Sequence, residues 1–454
     1  MGSISDKLTY LVDTKAAIRQ AIREKGVDVP AEDTFRNYAE RIRSIVQTGK
    51  DIISVSNVNF IDCDGTTLFS YTTEEFLALT EMPPLPARTG LTCQSWNYTL
   101  EDAKTLATQV SYVTIGATYI TNDENTRLYI RVLDTEEAVQ LNLDVNILNS
   151  VTIDWGDGSD TETNSKVGDN SWTHTYPHIG DYIITITPTD EVTFGLGYGT
   201  YNTSSNPSYP VIGYRYTTNS TTQRYSGYLN KIEIGKRVIG LAEAMSLGIR
   251  ELKNITIPSN VQNSVGTRAF SYSTNLESIV LPASTPSIGS YAFEYCYSLK
   301  NVAIPAGVTT IGINAFQYCY ILESVVIPAG VTTIGGYAFQ YCNSLRNIAI
   351  PAGVTTINTY MFTYCLSLAT IKMLGPITTI STYAFASCPR LRKIDLRYCT
   401  AVPTLGSTNA ISNNTGLQII VPDNLYDAWI AATNWTSFSS KIIKASDYDA
   451  GLNQ

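Results

Sequence analysis

Five evenly spaced cysteines are the first residues of the sequence that could carry chemistry. They follow a constant spacing, at Cys296, Cys319, Cys342, Cys365 and Cys388. Thiolates can bind a metal ion, but cysteine metal sites use closely spaced pairs such as C-x-x-C, and none occurs here. Disulfides are also disfavoured, because side chains at one position of stacked repeats point the same way. We therefore predict buried, unreactive thiols.

A second set of residues at this spacing carries charge. Glu277 and Glu323 are two periods apart, and across two stacked coils their separation would be about 10 Å. Such a distance suits the two carboxylates of an inverting glycosidase. Lys300 falls between them, however, and a neighbouring cation lowers the pKa of both carboxyl groups and disfavours the protonated acid. We expect a structural charge column here.

Three aspartates in the phrase WGDGSD, namely Asp154, Asp157 and Asp160, could offer oxygen ligands to Ca²⁺. A hairpin turn explains the Asp-Gly steps equally well, so these residues stay a calcium candidate and no metal site is assigned. His174 and His178 are the two histidines of the chain, and a general base is not expected at either.

The remaining sequence favours a binding protein over an enzyme. It has no nucleophile elbow, phosphate loop or zinc spacing, so no catalytic residue and no cofactor is predicted. Residues 101–200 hold 16 acidic and 4 basic side chains, whereas residues 250–400 hold 5 acidic and 10 basic ones. This basic excess is too weak for nucleic acid. With neither a secretory signal nor an 18-residue apolar run, we expect folding in a cytosol and no membrane insertion.

Thirty tyrosines are the most unusual feature of the composition. Nine of them flank the repeated positions and would lie on the outside if the cysteines lie inside. Stacked, exposed rings with polar tips are typical of recognition surfaces, although a purely structural stack is an equally good reading. The receptor-binding candidates are Tyr272, Tyr291, Tyr295, Tyr318, Tyr337, Tyr341, Tyr360, Tyr364 and Tyr383.

The element that must position these residues is an internal repeat. Phenylalanine recurs every 23 residues from Phe270 to Phe385, and leucine keeps the same 23-residue period from Leu276 to Leu391. A single coil of this length cannot bury its own apolar side, but stacked coils turn each column into a continuous core. The period therefore predicts a solenoid with short strands at the apolar segments.

The repeat pattern I-G-x-x-A-F-x-x-C-x-x-L-x-x-I-x-I-P closely resembles the BspA-like leucine-rich repeat family over residues 250–400. That resemblance implies a right-handed solenoid with one short parallel strand per repeat, as found in bacterial and phage surface proteins. The segment 417–442 is similar to the C-terminal cap of the family, in which Trp429 and Trp435 would close the last coil.

Two short amphipathic helices are predicted at the N-terminus, separated by a turn at Gly26 and Pro30. A pair this small needs something to pack against, so attachment is its natural role. The segment resembles an N-terminal module of gut-bacteriophage tail and fibre proteins. The virion-attachment candidates are Leu8, Leu11, Ile18, Ile22, Phe35 and Ile42.

Two further modules precede the repeats. Residues 58–105 resemble a companion module of phage structural proteins, with a proline-rich stretch and one short helix near Leu100 to Thr108. Residues 126–190 alternate apolar and polar residues between tight turns, which predicts a β-sandwich. Their W-G-D-G-S, H-T-Y and G-D-Y-I-I-T-I elements resemble a polycystic kidney disease (PKD) domain, an immunoglobulin-like spacer.

The expected fold is a multidomain, mainly β chain with an N-terminal helical pair, a PKD-like immunoglobulin-like β-sandwich, and a BspA-like leucine-rich-repeat solenoid ending in a C-terminal cap. The boundaries are 1–50 for the helical attachment module, 51–125 for a β-rich connector, 126–194 for the sandwich, 195–245 for an irregular linker and first coil, 246–400 for the repeats and 401–454 for the cap.

The functional expectation is a bacteriophage virion fibre or receptor-binding adhesin, assembled in the host cytoplasm. Its solenoid would contact a bacterial surface glycan or protein, and its N-terminus other virion proteins. A homo-oligomer is expected, with a trimer as the working hypothesis, and neither nucleic acid nor membrane is a partner. An architectural virion decoration protein and a bacterial cell-surface adhesin remain the alternatives.

Overall fold

A computed structural model describes residues 58–62, 66–109, 113–133, 138–189, 192–197, 212–218, 221–225, 229–241, 252–261 and 265–452. The N-terminal helical pair and its six attachment candidates lie outside these residues. Every element described below belongs to one unit of the chain, Val58–Gln454. No helix in the described ranges is long and apolar enough to cross a membrane.

The first module is a four-stranded sheet with two helices. Its strands are β1 (Val58–Ile61), β2 (Thr67–Tyr71), β3 (Leu91–Trp96) and β4 (Val113–Thr121), in the order β2-β1-β4-β3, and its helices are α1 (Thr73–Leu77) and α2 (Leu100–Gln109). Thr72 caps α1, and Glu75 returns the hydrogen bond. The second helix, α2, is the one predicted near Leu100. Phe60 forms the centre of the core, with ring contacts to Phe76 and Trp96.

Two sheets form the second module, with apolar side chains packed between them. One sheet has the order β14-β5-β10-β7-β8, and the other the order β13-β12-β6-β11-β15, with β9 also paired to β6. The strands are β5 (Thr126–Val132), β6 (Val139–Val145), β7 (Val151–Asp154), β8 (Glu162–Thr163), β9 (Gly168–His174), β10 (Gly180–Pro188), β11 (Phe194–Leu196), β12 (Ile212–Thr218), β13 (Thr221–Tyr225), β14 (Leu229–Glu233) and β15 (Val238–Leu241). Alternate residues of β5, such as Leu128 and Ile130, are buried, as a half-exposed strand requires. Membership of the PKD family stays a prediction.

The described strands of the segment predicted as an irregular linker and first coil, residues 195–245, pair with strands of the second module. β12 pairs with β6, β14 with β5 and β15 with β11, so this segment completes both sheets of the second module. The many tyrosine, serine and threonine residues of this segment leave no clear alternation of apolar and polar positions in the sequence. Tertiary context decides which of them pair as strands. The boundary predicted at residue 194 consequently falls inside the two-sheet module.

Stacked coils form the third module over residues 254–444. Its main parallel strands are β16 (Asn254–Thr256), β17 (Ser278–Val280), β19 (Asn301–Ala303), β21 (Ser324–Val326), β23 (Asn347–Ile350), β25 (Thr370–Met373), β27 (Lys393–Asp395), β29 (Gln418–Val421) and β30 (Ile442–Lys444). A second set is formed by β18 (Ser287–Ile288), β20 (Thr310–Ile311), β22 (Thr333–Ile334), β24 (Thr356–Ile357), β26 (Thr379–Ile380) and β28 (Thr404–Leu405). Neighbouring coils pair in parallel with matching residues aligned, for example Val302 with Val325. The predicted solenoid is confirmed.

The C-terminal segment continues the solenoid and also closes it. β29 and β30 extend the parallel sheet, while α3 (Tyr426–Ala431), α4 (Ala445–Leu452) and short 3₁₀ turns cover the end. Trp429 and Trp435 are both fully buried, and their rings meet edge to face at 5.4 Å. The indole nitrogen of Trp435 donates to the carbonyl of Pro403 at 2.8 Å. The two tryptophans thus close the last coils, as the cap pattern predicts.

Candidate functional site

The inside of the solenoid holds the phenylalanine column. Neighbouring rings from Phe270 to Phe385 stack with centroids 5.2 to 5.5 Å apart and planes within 11° of parallel. All of these rings are fully buried. The column therefore fixes the register of the coils and leaves the adjacent residues to face outwards.

The cysteine column lies beside these rings and is buried as predicted. Each thiol donates to the carbonyl of the phenylalanine one coil before it, for example Cys319 Sγ to Phe293 O at 3.2 Å. All five cysteines are free. Burial raises the pKa of each of these thiols, and raises that of Cys388 to about 12. The thiols therefore remain protonated donors inside the core, which suits structure rather than chemistry.

All nine candidate tyrosines share an unusual backbone conformation. Each has a positive φ, between 57° and 64°, in the left-handed region that favours glycine. They form two columns, which we call the tyrosine columns. The first contains Tyr272, Tyr295, Tyr318, Tyr341 and Tyr364, and the second contains Tyr291, Tyr337, Tyr360 and Tyr383. Arg268 and Asn314 complete the second column with the same conformation.

Main-chain hydrogen bonds between coils hold this conformation in place. Tyr318 N donates to Gln340 O, and Tyr341 N donates to Thr363 O, one coil further on. The residue before each column-one tyrosine points inwards, and the residue after it is a buried cysteine at most coils. A sharp turn of the chain between these inward positions is what directs the tyrosine to the surface.

The rings of each column stack on one another. In the first column the centroids are 4.5 to 4.7 Å apart, and from Tyr337 to Tyr383 in the second they are 4.9 Å apart. Each interior ring therefore has a neighbour on both faces and offers its edge and hydroxyl to solvent. The end rings are more open: Tyr272 is 44% exposed, Tyr364 41% and Tyr383 38%. The Tyr291 ring instead packs against the guanidinium group of Arg268, which lies 4.1 Å from the ring centroid.

One further pair of stacked tyrosines, beside the first column, was not among the residues predicted from the sequence. Tyr297 and Tyr320 are also one period apart, and their ring centroids lie 5.1 Å apart. Both meet the first column edge to face, Tyr297 against Tyr295 and Tyr320 against Tyr318. Their spacing was the signal that could have revealed them. Tyr297 and Tyr320 therefore extend the first column sideways. We call the two columns and these two rings together the tyrosine-rich surface.

Three hydroxyl groups of this surface, those of Tyr295, Tyr318 and Tyr341, have a pKa above the ordinary value and stay protonated near physiological pH. Partial burial raises the pKa of Tyr318 above its ordinary value, and neighbouring tyrosines raise it further. The same holds for Tyr295 and Tyr341. Each phenol can therefore both donate and accept a hydrogen bond, so the surface can bind a polar, uncharged partner.

Several of the charged candidate residues form local pairs or turns. Lys300 Nζ lies 3.6 Å from Glu277 Oε2, in the predicted charge column. Asp157 accepts from the Ser159 amide and from His174 Nε2, the latter at 2.7 Å, while Asp154 accepts from the Gly156 amide. Over the described ranges, no group of three or more histidine, cysteine, aspartate or glutamate side chains could hold a metal ion.

The first module covers part of the solenoid's main sheet. Ala303 and Val326, which point outwards from β19 and β21, pack into the core that contains Phe60 and Ile115. The hydroxyl of Tyr98 donates to Ile304 O. This sheet face is consequently occupied over the first coils.

Comparison with known families identifies the repeats. The family described as BspA type Leucine rich repeat region matches in six copies, over residues 219–343, 263–392 and 309–427. A comparison with curated proteins found no match.

Several solved structures are similar to part of this chain. The Treponema pallidum leucine-rich repeat protein is 30% identical, with 34% of this chain and 72% of that chain covered and a TM-score of 0.32. A leucine-rich cell surface protein from Faecalibacterium prausnitzii is 33% identical, with 37% and 46% covered and a TM-score of 0.30. A leucine-rich repeat protein from Bacteroides ovatus is 23% identical, with 50% and 64% covered and a TM-score of 0.35.

Proposed function

Since this chain belongs to the proteins that carry a BspA-type leucine-rich repeat region, we propose that it is an adhesin-type binding protein. Its tyrosine-rich surface would contact a glycan or a protein on a bacterial surface. The protein would act by binding and not by catalysis, because its surface consists mainly of phenol rings. The Glu294 carboxylate, which lies close to Tyr272 and Tyr295, is already paired with Arg268 at 3.2 Å.

One observation carries this proposal, namely the choice of tyrosine at left-handed positions. A non-glycine residue there costs about 1 kcal/mol or more relative to an ordinary conformation. Stacking of one ring on the next returns about 0.5–1.5 kcal/mol per pair. The two effects are similar in size, so stability alone does not explain the tyrosines. Arg268, Asn314 and Ser387 adopt the same conformation, which means that the fold does not demand tyrosine either.

The geometry suits a rigid contact surface. Tyrosine loses little conformational entropy on binding, and here each ring is already held by its neighbours. The hydroxyls repeat at the spacing of the coils, which favours a partner with repeated polar groups. Weak contacts at each step would add up, and several copies of the chain would strengthen them through avidity.

The finer proposal is a fibre or receptor-binding protein of a bacteriophage virion, attached through its N-terminal residues. A bacterial cell-surface adhesin uses the same tyrosine-rich surface and differs in what holds the other end. An architectural decoration protein would use it against other virion proteins. Labelling with antibody and electron microscopy of virions and of bacterial cells separates these three locations.

The binding proposal is tested with fluorescent protein and intact bacterial cells. Tyr318→Phe combined with Tyr341→Phe removes two hydroxyls and keeps both rings, so we expect binding to fall about 10-fold. The matched control is Tyr398→Phe, because Tyr398 is 50% exposed and lies outside the tyrosine columns. Equal binding by wild type and the double variant, to every strain that wild type binds, would exclude this surface. Shortened polysaccharide chains after incubation would instead indicate an enzyme.

A further inference from the structure

A cleft separates the two-sheet module from the first coil of the solenoid. Its volume is about 270 Å³, and its lining includes Tyr119, Lys231, Glu233, Lys253 and Thr256. On one side lies β14, the edge strand of the five-stranded sheet. On the other side lies β16, the edge strand of the solenoid sheet.

The sequences of β14 and β16 occupy equivalent positions of the repeat. Ile232 and Ile255 are one period apart, as are Ile234 and Ile257. All four side chains are buried, so β14 occupies the position of the coil before β16. β14 nevertheless pairs with β5 and not with β16. One strand of the repeat register therefore belongs to the neighbouring sheet, and no strand pairs with β16 on that side among the described residues.

The cleft does not extend past the strands, because hydrogen bonds join the two modules at the turn that follows β16. The side-chain amide of Asn260 donates to Val238 O at 2.6 Å and to Lys236 O at 3.0 Å. These bonds tie the first coil to the two-sheet module just beyond the cleft. The two edges are therefore held in a fixed relation and do not drift apart.

The main chain of β16 presents hydrogen-bonding groups to the cleft. Lys253 O accepts from Ser278 N, and Ile257 N donates to Val280 O, so these residues bond towards β17. Because successive residues of a strand direct their main-chain groups to opposite sides, Asn254 and Thr256 direct theirs into the cleft. The Thr256 hydroxyl is buried there and has no hydrogen-bond partner among the described residues.

The walls of the cleft define the chemistry of its occupant. Ile232, Ile234 and Ile255 supply an apolar lining. Lys231 is paired with Glu233 at 2.6 Å, whereas Lys253 has no ion pair with another described residue. An occupant that satisfies these walls has main-chain donors and acceptors, apolar side chains and one negative charge.

We propose that this cleft is a strand-addition site for an extended peptide of another protein. The peptide would pair with the main chain of β16 through Asn254 and Thr256, reach β14 with its other edge, and place an acidic side chain beside Lys253. Strand addition to an open sheet edge is a general mode of peptide recognition, and an edge left open is a ready template for it. The site is distinct from the tyrosine-rich surface.

The test uses hydrogen exchange of the full chain with two capped pentapeptides, TVTVE and TVTVK. Exchange is followed in residues 229–233 of β14, which the substitutions below do not touch. We expect TVTVE to slow exchange of the β14 edge at least 3-fold in wild type, and TVTVK to slow it much less. Thr256→Val keeps the main-chain N–H and should preserve the effect. Thr256→Pro removes that N–H and should abolish it, since proline is tolerated at sheet edges but cannot donate.

Charge reversal provides an independent reading if Thr256→Pro fails to fold. Lys253→Glu should exchange the preference, so that TVTVK protects β14 and TVTVE does not. Three results would overturn the proposal: no protection of wild type by millimolar TVTVE, equal protection in the valine and proline variants, or edge amides of β14 and β16 that are already protected without peptide. The last result would mean that the two edges pair with each other or with a second copy of the chain.

Discussion

The ring of Tyr318 lies 4.7 Å from that of Tyr341, with their planes inclined by 12°, and both residues have a φ of 62°. This pair combines a backbone conformation that L-residues disfavour with a contact that stabilises it. Around it, the outward tyrosines and the inward phenylalanines follow the same period. The relation between the two sets determines which substitutions harm the fold and which harm binding.

Substitutions on the inside and on the outside of one coil should differ sharply in stability. Phe316→Ala opens a cavity in a fully buried column, so we expect the free energy of unfolding to fall by about 3–5 kcal/mol. Tyr318→Gly loses two stacking contacts but relieves a positive φ, so the net change should stay within about 2 kcal/mol. Chemical denaturation of both variants measures this. A larger loss for the glycine variant would mean that the tyrosine columns are chiefly structural.

The cysteine column should resist alkylation in the native protein. Burial raises the pKa of Cys319 and places its thiol against Phe293 O, so iodoacetamide at pH 8 should modify Cys319 only after unfolding. Cys93 is an internal comparison, because it is half-buried and its pKa is raised to about 11, first by burial and then by Asp62. It should react before the column does. Peptide mass spectrometry gives the order, and early modification of Cys319 would contradict the assigned inside of the solenoid.

Docking of the first module on the solenoid should depend on Gly116. A Cβ at this position would lie 2.5 Å from Val280 Cγ2, so Gly116→Ala should weaken the contact by about 1–3 kcal/mol. Hydrogen exchange of residues 91–98 and 113–121 should accelerate accordingly. Val280→Ala makes room for the added methyl and should restore part of the protection. Gly240→Ala is the matched control, since nothing lies within 4 Å of its Cβ; acceleration there as well would remove the specific role of Gly116.

The Asp157–His174 pair should make the two-sheet module sensitive to acid. Burial alone would raise the pKa of Asp157, but hydrogen bonds from Ser159 and His174 outweigh it and lower the pKa to about 2. The ordinary value is about 3.9. The stabilisation is therefore complete above about pH 4 and is lost as the pH falls towards 2. Asp157→Asn should cost about 1 kcal/mol at pH 7 after allowance for solvent screening.

Exchange rates of residues 151–154 and 168–174, compared between wild type and Asp157→Asn, measure this contribution at each pH. The two proteins should approach each other as the pH falls from about 4 and should converge near pH 2. A difference that stays constant from pH 7 to pH 2 would show that the aspartate acts through its shape in the turn and not through its charge.

The solenoid could be predicted because its core residues form separate columns with one period. Phe316, Cys319 and Leu322 all have counterparts one period before and one period after them, and only a stacked architecture uses such a period in every column. The inward and outward assignments followed from the same columns. The left-handed conformation of Tyr318 could not be predicted, because no glycine or asparagine marked that position as a turn.

The relation between the modules could not be predicted for a different reason. Ala303 and Val326 look like ordinary repeat residues, yet they face outwards and are covered by the first module. Ile232 follows the repeat register, yet its strand pairs with β5. In both cases the local pattern is correct and the partner is chosen by tertiary packing, which a single sequence does not reveal.

Hydroxyl-radical footprinting of the protein bound to bacterial cells tests the central claim most directly, because it compares tyrosines within one molecule. Contact through the tyrosine-rich surface should lower the oxidation of Tyr318, Tyr341 and Tyr364 several-fold on binding. Oxidation of Tyr398, which is 50% exposed and outside that surface, should not change. Unchanged oxidation of the three column tyrosines, together with protection elsewhere on the chain, would show that the protein adheres through a different face.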